Sequence, residues 1–140
     1  MKKLLVLAAL ALAVPSLALA AKPPSPGNPP GAHGKSAPMV MYVLKGQLTA
    51  FTAASGAING KVTILVKHAN HHGASLVNMS LTFPVSSATK IVVRGGGVLA
   101  VLDKGIVKVR GPKNLAAGQN LATVLQALTA FQVIDQGPTS

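Results

Sequence analysis

The stretch Lys61–Val85, KVTILVKHANHHGASLVNMSLTFPV, constrains the fold most. Val62, Ile64, Val66 and His68 share one parity, and Lys61, Thr63, Leu65 and Lys67 share the other. Further on, Val77, Met79, Leu81, Phe83 and Val85 alternate with Asn78, Ser80 and Thr82. Strand side chains alternate between faces, so a period of two buries one row and wets the other. The pattern predicts two strands on a core, paired as a hairpin through a tight connection that carries three histidines. Shared parity gives the expected inward set: Leu44, Leu48, Val62, Ile64, Val66, Val77, Met79, Leu81, Phe83, Val107 and Val109. His68 falls at the end of the inward row.

Met39–Thr52 reads as the first strand, with Tyr42, Leu44, Leu48 and Ala50 on one face and Val43, Lys45, Gln47 and Thr49 on the other. Gly46 interrupts the inward row and marks a bulge or a bend. Ala53–Gly60 is a loop whose Asn59-Gly60 end favours positive φ. Pro84 cannot donate to a ladder, so its strand ends there or lies on an edge. Lys90–Arg94 is a short β-branched strand, followed by a turn at Gly95-Gly96-Gly97. Val98–Leu102 and Ile106–Arg110 flank Asp103-Lys104-Gly105 in the manner of a hairpin with a bulged loop. Asn114–Gln126 is ambiguous, with Leu121, Val124, Leu125 and Leu128 at helical spacing, and Leu128–Asp135 reads better as a strand with Phe131 and Val133 on one face. The expected fold is all-β, a small antiparallel barrel or sandwich of five to seven strands with a short helix near the C-terminus. Glycines at sharp bends favour the barrel. The folded domain is expected at 39–136, with a tail at 137–140.

The first twenty residues have the order of an export signal. Lys2 and Lys3 precede the apolar run Leu4–Val14, Pro15 and Ser16 break it, and Ala18-Leu19-Ala20 supplies small residues for cleavage. The run is shorter than the roughly 20 residues a spanning helix needs, which disfavours an anchor. Residues 1–20 are therefore expected to be a signal peptide and the protein to be secreted or extracytoplasmic. Residues 21–38 are rich in Pro and Gly and offer nothing to bury, so they read as a disordered linker in which His33 is solvated. The chain has no cysteine, so its stability must come from the core alone.

Charge is lopsided. Thirteen Lys and Arg face two acids, Asp103 and Asp135, for a formal net charge of +11. Lys45, Lys61, Lys67, Lys90, Arg94, Lys108 and Arg110 are expected on outward positions. One basic face of this kind suits an anionic cell-wall polymer or extracellular polysaccharide. The competing role is solvation and protection of sheet edges. Specific nucleic-acid binding would need aromatics for base stacking, and the chain has Tyr42, Phe51, Phe83 and Phe131 alone. Tyr42, Phe83 and Phe131 are expected in the core.

His68, His71 and His72 lie close together and have the ligand chemistry for Zn or Cu. No carboxylate or thiol stands near them in sequence to complete a shell, so a solvated polar turn is favoured over a metal site. Catalytic equipment is sparse. Asp103 and Asp135 are the sole candidates for a carboxylate pair, and no nucleophile elbow or phosphate-binding glycine motif is present. The expected protein is an exported non-catalytic binding or structural module. The alternative is an exported metal-binding protein using the histidine loop.

The phrases YVLKGQLTAF, VTILVKHAN, LTFPVSSATKI, DKGIVKVRGPK and QVIDQG resemble a group of uncharacterised secreted bacterial proteins of actinobacterial type. The resemblance covers most of Tyr42–Gly137. It is similar in style to small β-barrel domains with a threonine before one strand, here Thr89, and a glycine before the next, here Gly105. It implies fold and export, and no site residues.

Overall fold

The computed structural model describes residues 37–138. The expected signal peptide, most of the linker with His33, and the last two residues of the tail lie outside them. The described chain is mostly β. Its strands are β1 (Met39–Thr52), β2 (Gly60–Ala69), β3 (Ser80–Val85), β4 (Lys90–Val93), β5 (Lys104–Pro112) and β6 (Ala130–Gly137). They form one six-stranded sheet in the order β3-β2-β1-β5-β6-β4. A short 3-10 helix, His71–Leu76, joins β2 to β3, and a short α-helix, α1 (Leu121–Gln126), precedes β6.

The sheet is not closed, which corrects the barrel expectation. It bends until β3 approaches β6, yet the two do not pair, and α1 packs against both β3 and β5. Asn120 starts α1 by accepting from Ala122 N at 2.9 Å and Thr123 N at 3.3 Å through its Oδ1. The helix then buries Ala122 and Leu125. Its Gln126 Oε1 accepts from Thr82 N at 3.0 Å, on the outer edge of β3. Pro84, also on that strand, has no donor to leave unpaired. The edge is thus blunted in two ways. The other departure is β4, which pairs with β6 in parallel where an antiparallel sheet was expected.

The core holds Tyr42, Leu44 and Leu48 of β1, Val62, Ile64 and Val66 of β2, and Leu81, Phe83 and Val85 of β3. Val107 and Val109 of β5 join them with Val133 of β6 and Leu125 of α1. Nine of the eleven residues expected inward are buried, and Val77 and Met79 are not. The connection after β2 is a helical turn rather than a tight one. Asn78 has φ 67°, a left-handed conformation that redirects the chain before Ser80 begins β3. Leu76 fills the core in place of Val77, and Met79 is 39% exposed.

Three bulges account for the other corrections. β1 and β2 slip between Leu48 and Ala50, so Ala50 turns outward and Phe51 packs against the core. They slip again between Lys45 and Gly46, with Lys67 as the extra residue, so His68 lies on the outer face and not in the inward row. β5 and β6 slip between Lys108 and Val109, which makes Phe131 the unpaired residue. It is 55% exposed while Ala130 takes the inward position. An inserted residue shifts all later parity by one.

The expected hairpin from Val98 to Arg110 does not form. Val98, Val101 and Leu102 are exposed, and Leu99 alone of that segment reaches the core. Its backbone instead straps across β1, where Leu102 N donates to Leu48 O at 2.6 Å and Leu48 N donates to Asp103 O at 2.9 Å. The triple glycine turns as expected, all three residues having positive φ.

Candidate functional site

Residues paired across neighbouring strands share a face. The registers therefore lay out the outer surface of the sheet. Lys90, Gln132, Lys108 and Val43 form one row across β4, β6, β5 and β1. Val92, Ile134, Ile106, Lys45 and His68 form the next, extended onto β2. Gln47 and Lys104 form a third. Arg110 pairs with Met41 at one end, and Lys61 lies on the same face between Thr52 and Pro84. Arg94 follows β4 directly, with its N–H on Asp135 O at 3.0 Å.

Lys45, Lys67, Lys61, Lys90, Lys108 and Arg110 thus share the outer surface as expected from sequence. Lys104 belongs with them and was not anticipated, because the sequence assigned it to a turn. Its register opposite Gln47 depends on where β5 begins, a non-local fact. The bulge at Lys67 and the start of β5 bring Lys45, Gly46, Gln47, Lys67, His68, Lys104 and Gln136 around a groove of about 400 Å³. A second cleft of about 300 Å³ is lined by Val43, Lys45, His68, Ala69 and Asn70. Lys45 and His68 belong to both walls. Gln47 is steadied by its Nε2 donating to Leu102 O at 3.1 Å.

The two acids do not neutralise this surface. Asp135 points inward and is 1% exposed. Its Oδ2 accepts from Ala100 N at 2.9 Å and its Oδ1 from Gly137 N at 2.8 Å. Loss of hydration, then the charge and hydrogen bond of Asp135, push the Asp103 carboxyl above its ordinary range. Asp135 thus fastens the 99–103 strap to β6 through Ala100, and neither acid lines the groove.

The three histidines separate. His68 stands on the sheet surface. His71 and His72 lie with ring centres 3.7 Å apart and planes tilted by 43°, and His72 meets Tyr42 edge-on at 6.1 Å. Partial desolvation, then the charges of His71 and Lys113, lower the His72 imidazole below its usual range. Tyr42 OH donates to Pro112 O at 2.6 Å, and burial raises its phenol. Among the described residues no group of three or more His, Cys, Asp or Glu is placed to hold a metal ion. No helix among them is long and apolar enough to cross a membrane.

No family model, no curated protein sequence and no solved structure matches this chain.

Proposed function

We propose that this is an exported, non-catalytic binding module that holds anionic cell-envelope or extracellular polymer against the outer surface of its sheet. One observation carries it. Nine Lys and Arg occur among the described residues against two acids, of which Asp135 is buried, and neither acid lines the groove around which Lys45, Lys67 and Lys104 stand. An uncompensated cationic surface concentrates anions and steers them in. A sandwich-like arrangement, with the sheet bent over a single core, leaves its outer side free for a long ligand. The leader-like Met1–Ala20 and the resemblance to secreted bacterial proteins support a target outside the cytoplasm.

Co-sedimentation of the secreted protein with isolated cell wall tests this. Retention should fall steeply as salt rises from about 0.05 to 0.5 M, since charges at an exposed surface are screened over about 10 Å at 0.1 M. Joint replacement of Lys45, Lys67 and Lys108 by Gln should reduce it at low salt. Retention that ignores both changes would reject the proposal.

A further inference from the structure

We infer that the groove between Lys45, Lys67 and Lys104 is a discrete subsite for one phosphodiester group of a polymer, and that the neighbouring cleft takes the uncharged spacer beside it. This rests on the anionic-polymer function proposed above and names the ligand's chemistry.

The groove draws its polar side chains from four strands: Lys45 and Gln47 from β1, Lys67 and His68 from β2, Lys104 from β5 and Gln136 from β6. They surround the groove from several sides. Among the described residues, neither a carboxylate nor an arginine lines it. Arginine offers a planar fork that suits carboxylate and phosphate alike, whereas lysine acts as a compact point charge with rotatable donors that impose no planar geometry. Three ammonium groups arranged around a hollow suit a tetrahedral anion with oxygens pointing in different directions. A volume of about 400 Å³ exceeds what a bare ion needs, leaving room for substituents on both ester oxygens.

The second cleft extends the ligand. It shares Lys45 and His68 with the first, so a chain leaving the groove passes directly into it. Its other walls are uncharged. Val43 and Ala69 are apolar, and the amide of Asn70 is committed, with Nδ2 donating to Met41 O at 2.8 Å and Oδ1 accepting from Val43 N at 3.3 Å. Such a surface accommodates a polyol or sugar between phosphates. A charged group followed by a neutral one is the repeat of a phosphodiester-linked polymer.

The test is an NMR titration of the ¹⁵N-labelled full chain with a soluble glycerol phosphate oligomer, and in parallel with a galacturonate oligomer of equal charge. Expected shifts concentrate at the amides of Gly46, Gln47, Lys67, His68, Lys104 and Gln136, with those of Val43 and Asn70 moving as the oligomer lengthens. The phosphate oligomer should bind at least about 5-fold more tightly than the carboxylate one, and K67Q and K104Q should each weaken it about 5-fold. K61Q and R110Q, on the same surface but off the groove, should change affinity less than about 2-fold. Equal losses from all four variants, or equal affinity for the two oligomers, would overturn the subsite while leaving a diffuse anionic surface. Capture by phosphatidylglycerol vesicles without binding of the soluble oligomer would also overturn it. Failure of every anion to bind would remove both proposals.

Discussion

Gly46 is the residue on which the groove depends, and replacing it with alanine puts a number on that dependence. A Cβ at this position would run into the carbonyl oxygen of Leu65, with the carbonyl carbon at 2.9 Å and Lys67 N at 3.0 Å. Non-bonded carbon atoms rest at about 3.5–4.0 Å, so β1 and β2 would have to part by roughly an ångström. These are backbone atoms of a paired strand and cannot rotate away. Overpacking costs about 1–3 kcal/mol, and weakening roughly two ladder hydrogen bonds adds about 1 kcal/mol each. The sum of about 3–5 kcal/mol corresponds to a fall in Tm of roughly 12–40 °C for a domain of this size. Gly105 supplies the control. There the new Cβ meets the buried Leu48 side chain, with its Cδ atoms at 2.7 Å, and a side chain can shift where backbone cannot. Gly105→Ala should therefore cost less, about 1–3 kcal/mol. Urea unfolding followed by circular dichroism measures both. A Gly46→Ala midpoint within about 0.5 kcal/mol of the parent, or a larger loss at Gly105, would refute the reasoning.

Two further outcomes are expected. Ile64→Ala should lower stability by roughly 2–5 kcal/mol because Ile64 is fully buried, whereas His68→Ala on the outer surface should stay within about 0.5 kcal/mol, both read from urea midpoints. The Asp103 carboxyl is raised in the folded protein above its ordinary value of 3.8, so it stabilises the fold in its protonated form. That contribution is complete below the unfolded value and is lost as pH rises through the folded one. Asp103→Asn removes the titration, so its midpoint should gain on the parent's as pH rises from about 4 to 7. A constant difference across that range would refute the raised Asp103 carboxyl.

The alternation in Lys61–Phe83 and Met39–Thr52 was enough to locate β1 and β2 and to pick most of the core, because a buried face writes its period directly into the chain. It failed wherever pairing inserts a residue. Nothing in the letters around Thr49, Lys67 or Phe131 announces a bulge, since a bulge is a property of two strands and not of one. Hence His68 and Phe131 were placed inward, although both lie outside. Gly46 alone signalled its irregularity, through a missing side chain in an otherwise apolar row. Val98–Leu102 is as apolar as a strand, yet the 95–97 glycines and Leu102, with φ 75°, send it across β1 as a strap. The basic residues were legible as outward because strand parity is local. Their gathering into a groove, the inclusion of Lys104, and the meeting of Asp103 with Asp135 depend on strand order, which composition does not encode.

That strand order has a consequence for how the chain is made. β4 waits at the sheet's margin, and among the described strands it pairs with β6 alone, Lys90 lying opposite Gln132. Synthesis runs from the N-terminus, so β1, β2, β3 and β5 are available to one another before β6 emerges. The final strand must then enter between β5 and a segment that has had nothing to hold it. Contacts of such long sequence separation close slowly, because loop entropy is lost before any pairing compensates it. A chain in which β6 has not yet docked carries the β5 margin bare, a template for strand addition by a neighbouring molecule. Vulnerability to mispairing is therefore concentrated in time, in the interval between the appearance of β5 and the arrival of β6.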